Sequence, residues 1–91
     1  MKSRVLDIAR KQIALYLQDT RRMKGIKTKE MSETSGLETQ VINHIEKGDT
    51  CYTIDDFMAY LSAVGCYFYL ADKGGRELNL TYLIDQMKNP G

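Results

Sequence analysis

Ninety-one residues, 43% hydrophobic and 27% charged, make one small globular domain with a thin core. No apolar run approaches the about 18 residues that cross a bilayer. The first twelve residues carry Lys2, Arg4, Arg10 and Lys11 and lack the apolar stretch of a signal peptide, so a cytoplasmic protein with no membrane partner is expected. Net charge is only +1, yet residues 1–29 hold nine lysines and arginines against Asp7 and Asp19, while residues 30–91 hold four against ten acids. A basic half on an otherwise acidic domain is the footprint of a phosphate-facing surface. The single proline, Pro90, lies at the tail and leaves the interior open to helix.

Residues 4–23 read as the first helix. Val5, Ile8, Ala9, Ile13, Tyr16, Leu17 and Thr20 recur at spacings of three and four and are expected to face inward. Residues 28–35 read as a second, short helix. Lys27 stands where a capping side chain belongs, and a lysine cannot cap, so either Thr28 caps or the first turn frays. Gly36 separates this helix from a third, which begins at Glu38 or Thr39 and ends before Gly48. Ile42 and Ile45 form its inward stripe; Thr39, Gln40, Asn43 and His44 lie on the other side, with Lys47 a turn further on. Those four side chains offer both hydrogen-bond donors and acceptors. Gln or Asn pairs bidentately with adenine, and Lys reaches guanine or phosphate. Glu38 offers its carboxylate to the helix start, but it also sets a negative charge near any phosphate.

Helix, glycine-containing turn, helix is the layout of a DNA-binding helix-turn-helix. The residues that carry a likeness are Lys24, Gly25, Ile26, Thr28 in the place of Gln, Glu30, Met31 in the place of Leu, Ser32 in the place of Ala, Gly36, Leu37, Ile42, Ile45, Glu46 and Gly48, in register without a gap. On these the chain resembles the Cro/C1-type helix-turn-helix of phage repressors and Xre-family regulators. The likeness continues through Thr53-Ile54-Asp55-Asp56-Phe57 and Leu61 to Val64-Gly65, covering roughly residues 13–65. It implies a mainly α, lambda-repressor-like bundle of four to five helices. It also implies a phosphate contact from Thr28, which takes the place of the family's Gln, and a salt bridge between Arg21 and Glu46, expected to be largely buried; Lys27, Lys29, Lys47 and Arg22 are expected to hold phosphates beside Thr28. Thr20 stands where the family has a buried leucine.

Thr53 and Asp56 suggest a capping box for a fourth helix over 54–64, with Ile54, Phe57, Met58, Leu61 and Val64 inward and Gly65 at its end. The period then changes. Cys66, Tyr67, Phe68, Tyr69 and Leu70 alternate as a strand. A lone strand needs a partner. The simplest is the same strand of a second copy across a two-fold axis; this segment resembles the dimer strand of HipB-like antitoxin regulators. The alternative is a hairpin with residues near Arg76–Leu80 across the Asp72-Lys73-Gly74-Gly75 turn. Leu80, Leu83, Ile84 and Met87 predict a short helix over 80–88. Residues 1–65 are thus expected to form the DNA-binding domain and 66–91 a dimerisation extension.

Cys51 and Cys66 have neither zinc spacing nor a CxxC pattern, and His44 is the one histidine, so reduced structural thiols and no metal are expected. Gly74-Gly75 is an isolated pair rather than a phosphate loop. No catalytic residue or cofactor is indicated. The expectation is a sequence-specific regulator, a repressor by preference, that binds double-stranded DNA as a homodimer. Two others share the fold: an antitoxin that binds a toxin and represses its own operon, and an interaction module that has lost DNA binding.

Overall fold

The computed structural model describes residues 4–80. Four helices, α1 (Arg4–Met23), α2 (Thr28–Ser35), α3 (Thr39–Lys47) and α4 (Ile54–Val64), precede two short strands, β1 (Tyr69–Ala71) and β2 (Glu77–Asn79). None of the described helices is long and apolar enough to cross a membrane. The core gathers Leu17 from α1, Met31 from α2, Ile42 and Ile45 from α3, and Tyr60, Leu61 and Val64 from α4, with Leu37 from the α2–α3 turn.

The helix limits follow local chemistry. Thr53 Oγ1 accepts from the Asp56 N–H at 3.1 Å, and Asp56 Oδ2 accepts from the Thr53 N–H at 3.1 Å, closing the expected capping box. Gly65 ends α4 in the left-handed region, and the Cys66 N–H returns to the Leu61 carbonyl at 2.9 Å. Lys27 and Glu38 occupy the positions before α2 and α3, and neither side chain makes a capping bond. The α2 start has only the long reach of Glu30 to the Lys27 N–H, 3.4 Å. The capping role expected of Glu38 is therefore not realised.

Two inward faces differ from expectation. On α1 the buried stripe is Ala14, Leu17 and Arg21, while Val5, Ile8, Ala9, Ile13 and Tyr16 are exposed. Both stripes have helical spacing. The one that faces α3 is selected by a contact at its other end, where Arg10 Nε donates to the Gly48 carbonyl at 2.9 Å. Gly48 has φ +78°, and a Cβ there would stand 3.0 Å from the Lys11 Cα, so the glycine permits both the turn and the close approach of α1. On α4, Ile54 is 65% exposed and Tyr60 is fully buried, although helical spacing predicts Ile54 inside. Ile54 lies in the first turn, beyond the reach of the core.

The expected lone strand is instead half of a hairpin. Tyr69 pairs with Asn79, Leu70 with Leu78 and Ala71 with Glu77, antiparallel within the chain. Cys66 and Tyr67 lie before the ladder, and Phe68 joins it by accepting from the Leu80 N–H at 2.8 Å. Asp72 sets the turn: Oδ1 accepts from the N–H groups of Gly74 (2.8 Å) and Arg76 (3.0 Å). The helix expected over 80–88 lies, past Leu80, outside the described residues.

β1, α1 and α4 enclose an open apolar groove of about 430 Å³ lined by Ile13, Tyr16, Phe57, Leu61, Phe68 and Leu70, among others. Phe57 meets Phe68 edge to face with ring centres 6.0 Å apart, joining hairpin to bundle.

Candidate nucleic-acid interface

The inner side of α3 is clamped. Arg21 of α1 donates through Nε to Glu46 Oε2 at 2.7 Å and through Nη2 to Oε1 at 3.0 Å, a bidentate pair with side chains 9% and 5% exposed. Its Nη1 donates to the Ile26 carbonyl at 2.8 Å, which ties the α1–α2 turn to the same point. Tyr60 of α4 adds its hydroxyl to Glu46 Oε2 at 2.6 Å. Burial pushes the Glu46 carboxyl up, but the bonds from Arg21 and Tyr60 outweigh it and hold it below the usual carboxylate range. Burial, together with Glu46, raises the Tyr60 phenol well above its ordinary value. The buried pair anticipated between Arg21 and Glu46 is present, and Tyr60 is a third member that the pattern did not signal.

The turn into α3 is fixed as firmly. Gly36 ends α2 with φ 77°. Ser32 Oγ donates to the Leu37 carbonyl at 2.6 Å, and Ser35 Oγ accepts from the Leu37 N–H at 3.1 Å. Ser32, where the resembled family carries alanine, thus holds the α2–α3 turn.

The outer side of α3 is presented to solvent. Thr39, Gln40 and Asn43 are exposed, and none of their side chains makes a hydrogen bond among the described residues. His44 differs: it is half-buried, with Nδ1 2.7 Å from Asp49 Oδ2. The Asp49 carboxyl is held low, first by the Cys51 backbone N–H and then by His44, so it accepts and His44 Nδ1 carries the proton. This pairing occupies Nδ1 and leaves Nε2 of His44 over.

The cations divide in two. Lys27 and Lys29 are exposed at the start of α2, with Thr28 half-buried between them; Lys47 is exposed at the end of α3, and Arg22 on α1. Three other basic side chains of the N-terminal third have structural partners. Arg21 holds Glu46, Arg10 holds Asp7 and the Gly48 carbonyl, and Lys24 Nζ donates to the Val64 carbonyl at 2.7 Å. The basic excess counted from the sequence therefore overstates the charge offered to phosphates. Glu38, exposed beside Thr39, opposes it further.

No protein-family model matches the chain, and no match is found among curated proteins. The surface itself is a clamped helix on whose outer side the Thr39, Gln40 and Asn43 side chains are uncharged and, among the described residues, unengaged.

Proposed function

We propose that this chain is a sequence-specific DNA-binding regulator of the Cro/C1 type, a repressor that acts as a homodimer on a two-fold symmetric operator. The observation that carries the reading is the contrast across α3: Glu46, Ile42 and Ile45 locked inside, and the side chains of Thr39, Gln40 and Asn43 exposed and, among the described residues, unpaired. In this reading α3 enters the major groove. Gln40 and Asn43 pair with base edges, Thr39 supports them, and His44 contributes through Nε2. Lys27, Thr28, Lys29, Lys47 and Arg22 contact phosphates and set the register. Repression is steric and needs no catalysis or cofactor. Two copies place their α3 helices about 34 Å apart, one turn of the duplex.

The dimer contact is assigned to the groove and the β1 edge that faces away from β2. Bonding of Phe68 with Leu80 and of Asp72 with Arg76 directs alternate backbone groups of β1 outward, so a second copy can extend the sheet. The same exposed apolar groove, with Tyr16 67% and Leu70 55% exposed, favours one second reading: an antitoxin whose groove holds a toxin while α3 represses the shared operon.

The test is binding by fluorescence polarisation to the duplex upstream of the gene, and to a scrambled duplex, for the wild type and for Gln40→Ala/Asn43→Ala. Wild type prefers the upstream duplex; the double variant keeps non-specific binding and loses the preference. Equal preference in both proteins would remove α3 as the reading element.

A further inference from the structure

His44, Asp49 and Cys51 bring three different metal-ligating atoms within 4.8 Å of one another. Backbone geometry assembles them. Gly48 turns the chain with φ 78°, and the Asp49 N–H returns to the His44 carbonyl at 3.4 Å, which folds Asp49 over the last turn of α3. Asp49 Oδ1 accepts from the Cys51 N–H at 2.9 Å and draws the thiol to the same side. The spacing of Cys51 and Cys66, with a single histidine, gives no sign of a metal. It does not report a left-handed turn that brings a helix end and a loop onto one point.

The donors are an imidazole nitrogen, a carboxylate oxygen and a thiol sulfur. That mixture suits a borderline ion such as Zn²⁺; Ca²⁺ and Mg²⁺ take oxygen alone. We propose that His44, Asp49 and Cys51 form a three-ligand site for a divalent transition-metal ion, zinc by its chemistry. Cys51 is exposed and the other two are half-buried, so the fourth position faces solvent. The ion takes the place of the proton between His44 Nδ1 and Asp49 Oδ2. Those atoms stand 2.7 Å apart. Ligands of a tetrahedral ion at about 2.0–2.1 Å stand about 3.3 Å apart, so the pair opens by about half an ångström. Binding releases that proton and the thiol proton to solvent. The site lies past the C-terminus of α3, where the helix dipole favours positive charge. It leaves His44 Nε2 uncoordinated. If α3 reads DNA, as proposed above, the ion fixes the loop after it.

The test uses the full chain under reducing conditions, without DNA, so its outcome is independent of the DNA-binding reading. Co²⁺ alone is titrated, and the visible d–d and near-ultraviolet thiolate-to-cobalt bands are followed. The expected result is one Co²⁺ per chain with a thiolate band that Zn²⁺ displaces. Cys51→Ser abolishes the thiolate band, and His44→Gln and Asp49→Asn each weaken binding about tenfold or more. Circular dichroism of each variant establishes that it is folded. Absence of the thiolate band at millimolar Co²⁺ would overturn the site. So would its persistence in Cys51→Ser, which would assign the thiolate to Cys66.

Discussion

Replacing Arg21 by methionine keeps the bulk of the side chain and deletes its charge. Glu46 is then left with a side chain 5% exposed, holding Tyr60 at 2.6 Å and Gln18 at 3.4 Å but no cation. An uncompensated buried carboxylate costs about 3–5 kcal/mol. A domain of this length has about 5–13 kcal/mol of stability in all, so much of it disappears. With a urea slope of about 1 kcal/mol per molar, the midpoint should fall by about 3 M or more. Tyr60→Phe removes one hydrogen bond to a charged group and should cost less, about 1.5–3 kcal/mol. The pH dependence gives a second reading. Glu46 titrates below its ordinary range in the folded chain, so the stability it contributes is present above the unfolded carboxylate value and is lost as pH falls through the lowered one. In Arg21→Met, burial acts on Glu46 with less to oppose it, so the carboxyl takes up its proton at a higher pH. The deficit relative to wild type should therefore narrow as the solution is acidified. Urea unfolding followed by circular dichroism between neutral pH and pH about 4 measures both. A deficit under about 1 kcal/mol at neutral pH, the size of an exposed pair, would refute the argument.

Other substitutions probe separate parts of the account. Gly48→Ala forces a side chain into φ +78° and against the Lys11 backbone, and should cost about 2 kcal/mol or more in thermal unfolding; a loss under about 0.5 kcal/mol would show that α1 yields easily. Ser32→Ala should cost about 1 kcal/mol by releasing the Leu37 carbonyl, read from the urea midpoint. Glu38→Gln should tighten DNA binding several-fold at low salt, with the difference shrinking as salt screens the phosphates; an unchanged affinity at low salt would place Glu38 away from the DNA.

The helices were legible because their ends are marked by local chemistry: the Thr53–Asp56 box, and Gly36, Gly48 and Gly65. The Arg21–Glu46 pair was legible because a resemblance assigned it, not because spacing did. The inward face of α1 is not legible because two adjacent stripes both have helical period, and the buried one includes a charged residue, Arg21. Tyr60 escaped notice because a tyrosine can lie on either side of a helix; what decides is the Glu46 oxygen waiting for its hydroxyl. In the hairpin, strand propensity was visible, but the pairing depends on how Asp72 shapes its turn, and both partners were open on the sequence. Residue type and helical position alone set His44 beside Asn43 on the outer side of α3. Its tie to Asp49 depends on the left-handed turn at Gly48, which periodicity does not report.

In the proposed function α3 and its flanking cations face DNA. The most direct measurement is the equilibrium affinity of the full chain for its preferred duplex across a salt series. With about six phosphate contacts per dimer, the logarithm of the association constant should fall against the logarithm of salt with a slope of about −5, at two chains per duplex. A flat dependence, or no binding at low salt by a folded dimer, would contradict the account and leave α3 as a scaffold.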